Sequence, residues 1–221
     1  MNKAGPGHAA ASATRVKCIR KRIDSTTSWL TSSGLAVIAL TLAAQAAAEP
    51  ETFEIDPEHF SIGFQIEHVG YADVIGLFTE ASGQFVYDEQ SRELQSGHVE
   101  VRADSVFTAH DKRDRHVRDS DFLDTERHEI IRFEAIEFRP DDDSGGTLTG
   151  DLTLLGQTHP VELDVTINKA AEYPFGHGKY TLGVSARTTI ERSRWGMSYA
   201  VDNGLVGDEV DLKLEFEALR K

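Results

Sequence analysis

Histidines, carboxylates and arginines are the residues here that could do chemistry, and their spacing limits what that chemistry can be. Outside the first 48 residues the histidines are His59, His68, His98, His110, His116, His128, His159 and His177. None is paired at the i, i+4 helical spacing of a zinc protease with a glutamate between, so a metal site is not expected. Gly183-Val184-Ser185-Ala186-Arg187 places an arginine where a nucleophile elbow needs its second glycine. Asp141-Asp142-Asp143-Ser144-Gly145 lacks the alternating ligands and terminal glutamate of a calcium loop and reads as a solvated acidic turn. No catalytic residue, metal or cofactor is predicted, and the reading is that of a protein that is not an enzyme.

The arginines are more informative. Arg113, Asp114, Arg115, Arg118, Asp121 and Asp124 crowd into one charged stretch, and Arg192 and Arg194 form a second group. One reading is an ion-pair network fixing a loop, each exposed pair contributing about 0–1 kcal/mol. The other presents a planar guanidinium fork to a polar or anionic group at a site. Arg113, Arg192 and Arg194 are the candidates for that second role.

The elements that must position these residues are strands. Ser61–His68 alternates Ile62, Phe64 and Ile66 with Gln65 and Glu67, and Glu209–Ala218 alternates Val210, Leu212, Leu214, Phe216 and Ala218 with Asp211, Lys213, Glu215 and Glu217. Thr147–Leu154 and Val161–Ile167 flank the turn signal Gly156–Pro160 and predict a hairpin. Leu77–Tyr87, His98–Val106, Ile130–Arg139 and Tyr180–Arg192 carry the same period less regularly. The charged stretch Asp111–Arg127 predicts a short helix or ordered loop interrupting the sheet. About eight antiparallel strands result, closing as a sandwich or as a barrel. The length beyond a minimal sandwich, and Gly76, Gly83, Gly150 and Gly183 at bends, favour the barrel.

Composition sets the outer bounds. The chain has 221 residues with a formal charge of −14, which argues against nucleic acid and anionic membranes as partners. Arg15 to Arg22 is basic, Leu35–Ala44 is an apolar run broken only by Thr41, and Ala46-Ala47-Ala48 precedes Glu49. That pattern predicts a secretory signal peptide cleaved after Ala48. The run is too short to span a bilayer, so no stable membrane insertion is expected. The domains are therefore 1–48 as leader and 49–221 as one folded unit in the periplasm. Cleavage removes Cys18 together with six basic groups and one acid, leaving a charge of −19 and no cysteine. Such a charge suits a saline habitat, where screening relieves self-repulsion.

Several segments together resemble the YceI-like family. They are Phe53-Glu54-Ile55-Asp56-Pro57-Glu58-His59, Gly63–Gly70, Val74–Phe78, Arg113–Asp124 ending in Phe-Leu-Asp, Gly150–Val161, Arg192–Met197 and Val206–Val210. The likeness runs over residues 51–219 in order. His128-Glu129 stands where that family usually has a proline, and Arg194-Trp195 where it has Asp-Phe. The resemblance implies an all-β, lipocalin-like eight-stranded antiparallel barrel holding a polyisoprenoid, isoprenoid quinone or similar lipid for carriage, storage or stress protection. The apolar pocket would then be lined by Phe64, Ile66, Phe78, Phe133, Phe138, Leu154, Trp195, Met197 and Phe216. Trp195 would sit where the cavity meets water, and Arg113, Arg192 and Arg194 would meet a head group or diphosphate. Each apolar residue has the alternative of simply packing a core. Two other classes stay open: an exported enzyme acting on lipids or amides, and an interaction protein whose barrel is filled by its own side chains. A homodimer is compatible with the sequence.

Overall fold

Period-two alternation becomes strand wherever one face can be buried, and in this protein nearly every such run is a strand. The structure, a computed structural model, describes residues 49–141 and 144–221. The expected leader and the aspartates at 142 and 143 lie outside the described residues. In chain order the elements are β1 (Glu51–His68), β2 (Ala72–Phe78), β3 (Ala81–Asp88), β4 (Glu93–Arg102), β5 (Val106–Phe107), α1 (Asp111–Arg118), β6 (Ile130–Pro140), β7 (Gly145–Leu154), β8 (Gln157–Glu172), β9 (Tyr180–Glu191) and β10 (Val206–Arg220).

Pairing runs β10-β9-β8-β7-β6-β4-β3-β1, and β1 then pairs back onto β10, which closes the ring. Closure through pairs such as Ile62↔Leu214 and Phe64↔Leu212 decides for the barrel over the sandwich. β2 and β5 complete interrupted staves. The run Leu77–Tyr87 breaks at Thr79-Glu80, and the run His98–Val106 breaks at a 3₁₀ turn over Ala103–Ser105. Ser105 bridges the two breaks, its carbonyl and hydroxyl accepting from the Thr79 backbone N–H at 3.3 and 3.1 Å. Eight staves therefore form the wall, with α1 across one end.

Local chemistry accounts for the corners. The β7–β8 hairpin turns at Leu155 and Gly156 alone, both at positive φ of 51° and 71°, the geometry of a two-residue primed turn. It is tighter than the sequence suggests: Gln157–Pro160 are already strand, with Pro160 opposite Asp151. β1 starts ten residues earlier than its clean alternation and carries an irregularity between Ile55 and Phe60. There Asp56 accepts the Glu58 backbone N–H at 2.9 Å, and Pro57 sits in the bulge, a place where its missing donor costs little.

Two glycines take large rings. A methyl on Gly76 would overlap the ring of Phe64, and one on Gly150 would overlap the ring of Phe133. Both rings lie across bare backbone of the neighbouring strand, an arrangement that covers a glycine and fixes the ring.

Candidate functional site

The inward positions of the staves enclose two apolar spaces that share part of their wall. The larger, about 430 Å³, is walled by Ile62, Phe64 and Ile66 of β1, Val99 and Val101 of β4, Ile131 and Phe133 of β6, Leu152 and Leu154 of β7, Val161 and Leu163 of β8, and Val210, Leu212 and Leu214 of β10. The smaller, about 110 Å³, lies at the other end among Ile55, Tyr87, Phe138, Leu182 and Phe216. The larger one falls within the range of small-ligand sites. Its mouth is on the α1 side, where the wall residues Val69, Tyr199 and Leu205 are all exposed to solvent.

The roof over that mouth is held by hydrogen bonds to backbone. α1 is capped by His110, whose ring accepts from the Arg113 N–H at 3.3 Å. Asp114, buried, accepts from the Thr108 N–H at 2.7 Å and from the Thr108 hydroxyl. Burial pushes its carboxyl upward, but the two Thr108 donors and the charges of Arg118 and Arg113 outweigh this and hold it below the usual range. Arg113 donates to the Thr108 hydroxyl at 2.8 Å and carbonyl at 2.6 Å. Arg118 donates to the carbonyls of Asp104 and Val106, both at 2.7 Å. The expected network of ion pairs among these arginines, Asp121 and Asp124 is not what forms. Asp121 meets His116 at 2.9 Å and Asp124 meets Arg127 at 3.2 Å, while Arg113 and Arg118 bind backbone carbonyls in and beside the short β5.

Arg192 does the same for the other half of the roof. Its guanidinium, 1% exposed, donates to the carbonyls of Gly207 (2.8 Å), Met197 (2.7 Å), Tyr199 (2.9 Å) and Val206 (3.1 Å). Burial lowers its pKa, opposed by the charge of Asp208. It also lies over the Phe122 ring at 5.7 Å. Around it His116, Phe122 and Tyr199 pack edge to face, with centroids 5.1–5.3 Å apart.

Of the residues expected at the pocket, Phe64, Ile66, Phe78, Phe133, Leu154 and Met197 line the larger space. Phe138 and Phe216 line the smaller one, and Phe133 lines both. Trp195 is a correction: it is 0% exposed and lines neither space. Its indole N–H is satisfied by the Leu152 carbonyl at 2.9 Å instead of by water, and its ring packs edge-on against His159 at 5.1 Å. Arg194 is a second correction. It is exposed, lies over the Trp195 ring at 5.4 Å, and reaches neither space. Arg113 and Arg192 do line the larger space. Sequence reasoning missed His116, Phe122 and Tyr199. Phe122, an aromatic inside an otherwise charged stretch, was the available signal.

Elsewhere, Ser185 is mid-strand, accepting from the Asn168 amide at 2.8 Å and donating to Glu215. Spacing along the chain does not bring histidines and carboxylates together as metal ligands, but the fold does so once among the described residues. Atoms of Asp56, His59 and Glu217 lie within 4.8 Å of one another. His59 Nδ1 is already bonded to Asp56 Oδ2 at 2.8 Å, which raises the imidazole above its ordinary value.

A family model described as the YceI-like domain matches residues 53–218. A UPF0312 protein of Pectobacterium atrosepticum is 32% identical, the match covering 84% of this chain and 94% of that protein. One from Pseudomonas aeruginosa is also 32% identical, over 83% and 93%. Among solved structures, Burkholderia cenocepacia BcnA superposes with a TM-score of 0.66 at 19% identity, covering 74% of this chain and 98% of that one. A Campylobacter jejuni YceI protein gives 0.64 at 28% identity, over 71% and 90%. A domain from Saccharophagus degradans, described as polyisoprenoid binding, gives 0.56 at 11% identity, over 78% and 100%. With the family model spanning nearly the whole barrel and these relatives matched almost end to end, the chain belongs to the YceI-like family.

Proposed function

We propose that this protein is an exported, water-soluble carrier that holds a long apolar ligand of the polyisoprenoid or isoprenoid-quinone class inside its barrel. The observation that carries the reading is the cavity of about 430 Å³, whose wall is aliphatic and aromatic apart from a few polar groups near the mouth. A core built only for stability would be filled at crystal-like density. The solved domain described as polyisoprenoid binding has the same fold and gives the reading its ligand class.

The energetics suffice. At about 0.8 kcal/mol per buried carbon, each five-carbon isoprene unit gains about 4 kcal/mol on leaving water. Three units give about 12 kcal/mol, and an association cost near the low end of about 4 leaves about 8, or micromolar binding. Among the described residues no helix is long and apolar enough to cross a membrane. The leader pattern of residues 1–48 supports export and, with it, a periplasmic carrier.

The test uses the protein's own reporter. In a chain beginning at Glu49 the sole tryptophan is Trp195, bonded to Leu152 of the cavity wall. Titration with a short-chain ubiquinone is expected to quench its emission saturably at one ligand per chain. Linear, unsaturable quenching equal to that of free tryptophan would refute the reading.

A further inference from the structure

The seam that closes the barrel is irregular where β1 bulges. Between the pairs Ile55↔Ala218 and Phe60↔Phe216, β1 carries Asp56-Pro57-Glu58-His59 where β10 carries Glu217 alone. Asp56 and His59 stand at the two ends of the bulge, and Glu217 meets them from the neighbouring strand. Ligand atoms of the three lie within 4.8 Å of one another. None of them lines either apolar space, so the cluster is separate from the cavity and does not depend on the carrier reading.

The hydrogen bonds of this cluster leave one oxygen over. Asp56, 7% exposed, accepts the Glu58 backbone N–H at Oδ1, 2.9 Å away, and meets His59 Nδ1 with Oδ2 at 2.8 Å. Glu217 Oε2 lies 3.8 Å from the same nitrogen, beyond hydrogen-bond reach. The Glu217 side chain as a whole is partly exposed, yet this oxygen is shut off from solvent and no donor among the described residues reaches it. An imidazole nitrogen carries one proton and serves one carboxylate with it. Buried charges are paired or coordinate metals, and a cation at Nδ1 would serve both carboxylates at once. The field around the nitrogen has the sign a cation requires. The bond to Asp56 raises the His59 imidazole, burial opposing, and the charges of Glu217, Asp56 and Glu58 add to the rise. Burial and then the charge of Glu217 push the Tyr173 phenol up as well.

We propose that Asp56, His59 and Glu217 form a binding site for a divalent transition-metal ion of the zinc type, which takes the place of the proton on His59 Nδ1. One imidazole and two carboxylates are a donor set that zinc accepts, at about 2.0–2.2 Å from each atom. Two ligand atoms of a tetrahedral ion at that range stand about 3.3–3.6 Å apart, and the 2.8 and 3.8 Å measured from Nδ1 lie on either side of this. The ion therefore enters by small side-chain shifts, and the displaced proton leaves to solvent. The His59 side chain is 46% exposed, which gives the ion its path. Asp56 Oδ1 keeps the Glu58 N–H, an outer bond that orients the ligating carboxylate. Three protein ligands leave a fourth position for water. Once bound, the ion ties the β1 bulge to β10 and fastens the seam on which closure of the barrel depends.

The experiment takes protein purified without a polyhistidine tag, freed of metal by a chelator, and titrates it with zinc in a calorimeter. One saturable equivalent per chain is expected, with magnesium binding at least about a hundredfold more weakly because it does not favour imidazole. His59→Gln and Glu217→Gln are each expected to weaken zinc binding about tenfold or more. Glu58→Gln removes the same charge from an exposed neighbour and is expected to change affinity by less than about threefold. Zinc raises the melting temperature of the unchanged protein but not that of His59→Gln. NMR of the unchanged protein, which needs no variant to fold, is expected to show zinc perturbing His59 Nδ1 before any other histidine. Absence of a saturable equivalent overturns the inference. So do undiminished zinc binding in folded His59→Gln, a loss in Glu58→Gln equal to that in Glu217→Gln, magnesium binding as tightly as zinc, or a first response at another histidine.

Discussion

Replacing Arg192 by methionine separates a positioning role from a ligand-binding one, and the structure supplies the magnitude. The substitution keeps an unbranched stem of similar length and removes every donor. Of the four carbonyls that lose their partner, the bond to Met197 is buried and those to Gly207, Tyr199 and Val206 are partly buried. An abandoned buried carbonyl costs about 1–3 kcal/mol, and each carbonyl that water can reach costs about 0.5–1.5. Releasing a buried cation to nothing offsets part of this. The net expectation is about 3–5 kcal/mol, or a melting temperature lower by roughly 6–20 °C for a chain of this size. Urea unfolding is the assay, with the midpoint falling and the slope retained. A loss below about 0.5 kcal/mol would refute the reasoning, since four bonds to a fully hidden guanidinium could not then be holding the roof. Unchanged stability with quinone affinity reduced about tenfold or more would move Arg192 from roof fastener to head-group contact.

Gly150→Ala is expected to cost about 1–3 kcal/mol by overpacking against Phe133, whereas Gly183→Ala, where a new methyl meets nothing nearer than 3.9 Å, is expected to be near neutral; equal losses in calorimetry would contradict the ring-on-glycine account. Asp114 has a folded pKa below its unfolded one, so its stabilisation is complete above the unfolded value, about 4, and is lost as pH falls through the folded value. Asp114→Asn is therefore less stable than the unchanged protein at neutral pH, with the gap closing in urea titrations as pH falls below the unfolded value; a gap that is constant with pH would show that the carboxylate charge is irrelevant. His59, raised chiefly by its bond to Asp56, is expected to titrate by NMR at lower pH in Asp56→Asn, and an unmoved titration would break the pairing. The surplus of acid over base in residues 49–221 predicts a melting temperature that rises between low and molar salt, and a flat or falling profile would end the saline reading.

What was legible in the sequence was what depends on neighbours along the chain. The alternation Val210, Leu212, Leu214, Phe216 gives the inward face of β10 directly, because one-sided burial imposes period two. Six of the nine apolar residues expected at the pocket line its larger chamber for the same reason. The choice of barrel over sandwich depends on β1 meeting β10 from the far end of the chain, which no local pattern encodes; chain length and the glycines at bends favoured it, and the family resemblance implied it. Trp195 was misplaced because an indole N–H satisfied by a distant carbonyl looks, in sequence, the same as one satisfied by water. Arg118 and Arg192 were read as partners for charge, yet their donors go to backbone carbonyls left over where strands stop short. The gathering of Asp56, His59 and Glu217 likewise needs β10 laid beside the β1 bulge.

The most direct test of the central claim is native mass spectrometry of the protein purified from its producing cells without detergent, followed by organic extraction. The account predicts a stoichiometric adduct that is released by solvent and has the mass of a prenyl chain or prenyl quinone. A clean unliganded mass that persists after incubation with quinones and polyprenols would contradict it, and the barrel would then have to be explained by something other than a cargo.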